Sequence, residues 1–338
     1  MKYLSILVLV TLLPIASPGS PTPKSPEAMK PVMQNDNTGF VKTKDGVRLY
    51  YAKAGSGTKT VIIPGRLFMF PAFEQLAKGR TVISYDMRDR GLSDAVKNSS
   101  EISLQHDVDD LEAVRSYFKI DKPDLIGFSY LGKIVILYAI QHPDHVNRIV
   151  QLGPVARKFG TTFPQSLMAG DERKVPDPAE VRKVNELSRN GFADQHPKEF
   201  CELDWKNQQQ RMVGNPANAG RIASPCDMEN EWPTHLEHHF APLLASDQAL
   251  DIPKESIAKV TAQVLTIHGA RDRNAPYGGG REWDMLLPDA RLLTIQGAAH
   301  MSWIDFPEIV FPAIDQFLNG QWPKKAEMVK SLELPSNH

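Results

Sequence analysis

The chain has 338 residues, room for one large α/β domain or two domains of roughly 150 residues. A hydrophobic share of 41% and a charged share of 23% exclude a disordered chain and a multi-span membrane protein. Lysine plus arginine number 39 against 40 for aspartate plus glutamate, a net charge of −1, so no basic excess suits a nucleic-acid backbone.

The N-terminus opens with Lys2, runs through the apolar stretch Leu4 to Ile15, and leaves through Ala16, Ser17, Gly19 and Ser20. A positive start, a short apolar run and small exit residues predict a signal peptide over 1–20 and an exported protein, periplasmic or secreted. As a helix the run rises only about 18 Å, short of a bilayer core, so the mature chain is expected to carry no membrane span. Prolines 18, 21, 23, 26 and 31 make 21–37 a solvated linker. Export also bears on the only two cysteines, Cys201 and Cys226. In an oxidising compartment a disulfide between them is favoured over two unpaired buried thiols.

From residue 38 onward, short β-branched runs alternate with helical patterns. Strands are predicted at Phe40–Thr43, Val47–Ala52, Val61–Ile63, Thr81–Tyr85, Asp124–Ile126 and Arg148–Leu152. Leu104, Val108, Leu111, Val114 and Phe118 recur at helical spacing, and 130–142 is apolar nearly all round, as in a helix packed against a sheet. The rhythm stops after Pro154 and resumes at Val264–His268, a helix near Gly280–Leu287, a strand Leu292–Ile295 and a last helix at Ile304–Leu318. Alternation of this kind implies a mostly parallel sheet covered by helices on both faces. The sheet pattern continues on either side of 155–255, so that segment reads as an insertion rather than an independent domain. The core then comprises 38–154 and 256–320, with a tail at 321–338.

Three loops lie beyond the carboxyl ends of predicted strands, where such sheets place reactive groups. In Gly127-Phe128-Ser129-Tyr130-Leu131-Gly132 a strand turns directly into a helix, which would thrust the Ser129 hydroxyl out of the sheet edge. Gly127 is the small residue expected two places before the serine; Leu131 occupies the matching place after it, with Gly132 one later. Asp272 follows the strand ending at His268, and His300 follows Leu292–Ile295 through Gly297-Ala298-Ala299. Each alone has a bland explanation: a helix N-cap serine, an aspartate in a turn, a structural histidine. Together they are serine, acid and histidine in one chain order, each just after a strand, which is the arrangement of a nucleophile, an orienting acid and a base.

Over about residues 38–320 the chain resembles the α/β-hydrolase fold superfamily, near its proline-iminopeptidase-like (serine peptidase S33) branch. Asp86-Met87-Arg88-Asp89-Arg90-Gly91-Leu92-Ser93, the Ser129 segment, the Gly269/Asp272/Pro276 spacing and Gly297-x-x-His300 carry the resemblance. It implies an α/β-hydrolase fold in which 155–255 forms a helical cap. It implies Ser129, Asp272 and His300 as catalytic residues that cleave an ester or amide through an acyl-enzyme. It implies an oxyanion hole from the backbone N–H of Tyr130 and of Arg66, the latter following Pro64-Gly65 where the family usually has His-Gly. The Arg66 guanidinium could instead pair with a substrate carboxylate.

By the same resemblance Glu229 and Glu231 of the cap are candidates for binding a substrate amine, although surface carboxylates are commoner. That role would suit an aminopeptidase acting on a short peptide rather than an esterase acting on a small molecule. A hydrolase-like binding protein without turnover is a third possibility, and a C–C bond hydrolase or perhydrolase would use the same three side chains. His235, His238 and His239 have helical spacing but no further ligand, so they read as a solvated helix face. No metal, cofactor or nucleic-acid partner is implied. His106 and His268 read as structural, and Met33, Met69 and Trp303 as core or pocket wall.

Overall fold

The computed structural model describes residues 37–158, 160–167, 177–228, 239, 243 and 251–332. The strands are β1 (Thr38–Lys42), β2 (Arg48–Ala54), β3 (Thr60–Pro64), β4 (Thr81–Tyr85), β5 (Asp124–Phe128), β6 (Arg148–Leu152), β7 (Gln263–Gly269) and β8 (Ala290–Ile295). The longer helices are α1 (Arg66–Phe73), α2 (Leu104–Tyr117), α3 (Tyr130–Gln141), α4 (Pro178–Arg189), α5 (Pro197–Met212), α6 (Tyr277–Leu286) and α7 (Pro307–Leu318).

The strands form one sheet in the order β1-β2-β4-β3-β5-β6-β7-β8. β2 runs antiparallel to β1 and β4, while the pairings from β4 through β3 to β8 are parallel. Both faces are buried, which explains why the central strands read as continuous apolar runs. Side chains alternate between two cores. Ile62, Ile83, Leu125, Ile149 and Val264 pack with Val108, Leu111 and Val114 of α2 and Ile134 of α3. Val61, Ile63, Val82, Ile126, Val150 and Leu265 pack with Met69 and Phe73 of α1 and Ile314 and Phe317 of α7.

All eight predicted strands are present, with ends moved by at most two residues. The α2 stripe faces the core, with Val108, Leu111 and Val114 buried and Leu104 and Phe118 partly so, and Ser103 caps its start by accepting the His106 N–H at 3.2 Å. The predicted last helix is broken. A single turn, Ser302–Asp305, stops at Phe306 (φ −137°), and α7 begins at Pro307, because proline bars its predecessor from helical backbone. Helix α1 had no periodic signal, being short and apolar after Arg66, with Pro71 inside it.

The insertion is helical where described, with α4 and α5 as its main elements. Arg157 and Ile252 join its two ends: Arg157 Nη1 donates to the Ile252 carbonyl at 2.6 Å, and the Ile252 N–H to the Arg157 carbonyl at 3.3 Å. A disulfide links Cys201 of α5 to Cys226, with Cα atoms 5.7 Å apart. The described part of the tail, 321–332, is docked on the core. Leu292 of β8 exchanges backbone hydrogen bonds with Glu327 at 2.9 and 3.0 Å, and Ala326 and Val329 are buried. The signal-peptide and linker segments, Met33 among them, lie outside the described residues apart from Asn37. Among the described residues no helix is long and apolar enough to cross a membrane.

Candidate active site

Ser129 sits between β5 and α3 with φ 54° and ψ −120°, a backbone state that costs a non-glycine residue about 1–3 kcal/mol. Its N–H donates to the Leu152 carbonyl at 2.9 Å, and its carbonyl accepts from Gly132 and Val155 at 3.1 and 3.3 Å, so β6 and α3 hold the turn from both sides. A β-carbon on Gly127 would lie 2.3 Å from the Leu131 carbonyl oxygen, which is why glycine stands there. The bulk of Leu131 is taken up elsewhere. Its side chain lies over Gly65, where a β-carbon would come within 2.6 Å of Leu131 Cδ1. An atypical large residue in one loop is thus matched by a glycine in another.

Asp272 and His300 meet at the same rim. His300 Nδ1 is 2.7 Å from Asp272 Oδ2, and both side chains are buried. Asp272 Oδ1 accepts the N–H groups of Asn274 and Ala275, each at 2.9 Å. Burial alone would raise the Asp272 pKa; the adjoining imidazoles, His300 foremost, outweigh it and hold the carboxyl well below the usual range. Two contacts tie this pair to Ser129. Gly153, next to the residue that holds the Ser129 amide, would bring a β-carbon to 3.1 Å of Asp272 Oδ2 and 3.2 Å of His300 Nδ1. The Phe128 ring, immediately before Ser129, lies 4.5 Å from the His300 ring and 4.7 Å from that of Trp303.

Arg66 and Tyr130 are the first residues of α1 and α3, and the strands leading to them, β3 and β5, are parallel neighbours. Their backbone N–H groups belong to the first turns, whose donors find no partner inside the helix, and both helix ends present positive dipole at one rim. The guanidinium of Arg66 is committed elsewhere. Its Nη2 and Nε stand 2.7 and 3.1 Å from Asp86 Oδ2, and it lies 4.9 Å over the Tyr50 ring. A substrate carboxylate would have to compete with Asp86 for this group. Asp86 is itself buried, which raises its pKa despite Arg66.

Of the remaining candidates, one departs from expectation. Glu229, Glu231, His235 and His238 lie outside the described residues. His239 is no part of a solvated face: it is wholly buried, with Nδ1 3.2 Å from the Arg88 carbonyl and Nε2 3.6 Å from Asp107 Oδ2. Asp107 also accepts the Tyr130 hydroxyl at 2.6 Å. Arg88 is held by Asp110 at 2.7 Å and Asp45 at 2.9 Å. Arg88 belongs to the Asp86–Ser93 motif, while Asp45, Asp110 and His239 reach it from distant segments with no shared periodicity, so the motif alone gives no sign of them. Met69 and Trp303 are core residues.

Glu112, His142 and His145 bring ligand-type atoms within 4.8 Å of one another, a grouping made by two helices and a turn. The Glu112 carboxylate is already occupied: it accepts from Arg115 at 2.7 and 2.8 Å and from the Tyr138 hydroxyl at 2.6 Å. Although burial opposes it, those partners bring the Glu112 pKa down to about 2. The two imidazoles stack in parallel, 3° apart, so their nitrogens do not converge on one point. We read the cluster as an ion-pair network at the far end of α3, about 18 Å from Ser129 along a helix of this length. A groove of about 890 Å³ lined by Lys59, Arg80 and Asp315 lies at the amino ends of β3 and β4, the opposite rim from Ser129.

The chain belongs to the α/β-hydrolase family: the model of the alpha/beta hydrolase fold matches residues 63–307. Among curated proteins it is 23% identical over 291 residues to the AB hydrolase superfamily protein YisY of Bacillus subtilis, covering 83% of this chain and 99% of that protein. It is 22% identical over 294 residues to a 2-hydroxy-6-oxo-2,4-heptadienoate hydrolase of Pseudomonas putida (85% and 98% covered). It is 20% identical over 302 residues to a proline iminopeptidase of Heyndrickxia coagulans (83% and 98% covered). Among solved structures, a serine hydrolase of Cycloclasticus zankles superposes with a TM-score of 0.63 at 16% identity, covering 84% of this chain and 98% of that one. At that identity the likeness speaks for the fold alone.

Proposed function

We propose that the protein is an exported serine hydrolase that cleaves a carboxylic ester or amide through an acyl-enzyme. Ser129 attacks the carbonyl carbon, His300 takes its proton and returns it to the leaving group, and Asp272 fixes the imidazole through Nδ1. The tetrahedral oxyanion is received by the N–H groups of Tyr130 and Arg66, each worth about 3–4 kcal/mol of barrier. Water then repeats the sequence on the acyl-enzyme and frees Ser129. The observation that carries this reading is the buried 2.7 Å contact between His300 Nδ1 and Asp272 Oδ2 at the rim where Ser129 adopts its strained turn. A disulfide suits an oxidising compartment and supports export.

The test is to treat the mature protein with a fluorophosphonate probe and to assay short aryl esters, long-chain esters and aminoacyl arylamides, with Ser129→Ala as control. Labelling of Ser129, with turnover falling by at least about 10³-fold in the variant, is the expected result. Turnover that survives in Ser129→Ala would overturn the assignment. The arylamide arm separates an esterase from an aminopeptidase, for which the cap acids Glu229 and Glu231 would be the amine-binding candidates.

A further inference from the structure

His268 lies on β7, four residues before Asp272, and is fully buried. Its Nε2 stands 2.9 Å from the Ala275 carbonyl oxygen and 3.2 Å from Asp272 Oδ2. Both neighbours are acceptors, so Nε2 carries the hydrogen and shares it between them. Nδ1 is buried and has no hydrogen-bond partner among the described residues; a hydrogen there would be a buried donor left unpaired, which selects the Nε2–H tautomer. The ring cannot swing away. A β-carbon on Gly280 would come within 2.3 Å of Nδ1, and the Tyr277 ring meets it edge-on at 5.7 Å.

Asp272 Oδ2 is therefore shared by two imidazoles, His300 on one side and His268 on the other. We infer that His268 is a positioning residue for the proposed reaction. It fixes the rotation of the Asp272 carboxylate and draws charge from the one oxygen that faces His300, thereby tuning how strongly that oxygen holds the base. This role rests on the triad reading above. It differs from a packing role because it acts through the N–H and not through the bulk of the ring. With that donor removed, Oδ2 presents more charge to His300, the protonated base is stabilised, and a higher pH is needed to free it.

The experiment compares His268→Leu, which removes the donor, with His268→Gln, which restores a side-chain N–H at similar reach. For each mature variant the readouts are kcat and KM on the best ester of the panel across pH, thermal melting, and fluorophosphonate labelling. His268→Leu is expected to lose about tenfold in kcat, the scale of one hydrogen bond, with KM within about twofold. The acid limb of kcat/KM should move up by about half a pH unit, and His268→Gln should return the limb towards the wild-type position. A folded leucine variant with an unmoved limb overturns the inference, as does equal impairment of both variants with the limb unmoved. If the leucine variant does not fold, the glutamine variant decides through the downfield proton resonance of the His300–Asp272 contact, which must be retained at a near-native shift. Failure of the triad itself is distinguished by turnover surviving in Ser129→Ala.

Discussion

Asp272 accepts hydrogen bonds from His300 Nδ1, His268 Nε2 and the Asn274 and Ala275 amides, and these partners, against burial, keep its carboxyl ionised. A carboxyl whose folded pKa lies below its unfolded value contributes stability that is fully present above the unfolded pKa of about 3.9 and is lost as pH falls below it. The urea midpoint of the wild type should therefore exceed that of Asp272→Asn near pH 6, and the gap should narrow as the pH is taken from 4 to 3. A constant gap across that range would show that the charge contributes nothing to the folded state. In activity the same variant should lose about 10⁴-fold in kcat, because the imidazole is then held in the wrong tautomer.

At the scale of elements, what could be read from the sequence depended on how local the signal was. The β-branched runs and the Leu104–Phe118 stripe announced their elements because strand and helix periods are set within a few residues. Helix α1 did not: its eight residues are too few to show a period, and Pro71 inside them argues against a helix interior. The break before α7 is written locally in Pro307, which bars Phe306 from helical backbone. The disulfide is an element-level constraint, joining α5 to the turn at Pro225–Asp227 across a sequence separation of 25. On a chain-entropy basis closing that loop stabilises the fold by about 3.5 kcal/mol. Cys201→Ser/Cys226→Ser should lower the unfolding free energy by an amount of that order, read from denaturant titration. A negligible change would mean that this part of the insertion is held by its packing alone.

Across the whole molecule, one sheet gathers residues scattered over most of the chain onto a single rim, and the insertion returns to the core within reach of its starting point through Arg157 and Ile252. Export is the molecular-scale expectation still to be met. Expressed with residues 1–20 in a secreting bacterial host, the protein should leave the cytoplasm with its apolar N-terminal segment removed, at a point that N-terminal sequencing reads. An uncut chain retained in the cytoplasm would refute the signal-peptide reading.

The sequence by itself determined the eight strands, most of the core helices, and the order of Ser129, Asp272 and His300 behind their strand ends. Periodicity and turn chemistry are short-range properties, and each of those features is written within a few residues of itself. Only the tertiary structure decided the partners: Asp86 on the Arg66 guanidinium, Asp107 on the Tyr130 hydroxyl, Gly65 making room for Leu131, His239 buried against Arg88, and His268 beside His300 on one carboxylate oxygen. Such pairs depend on which strands lie side by side, and a strand's own period carries no record of its neighbours.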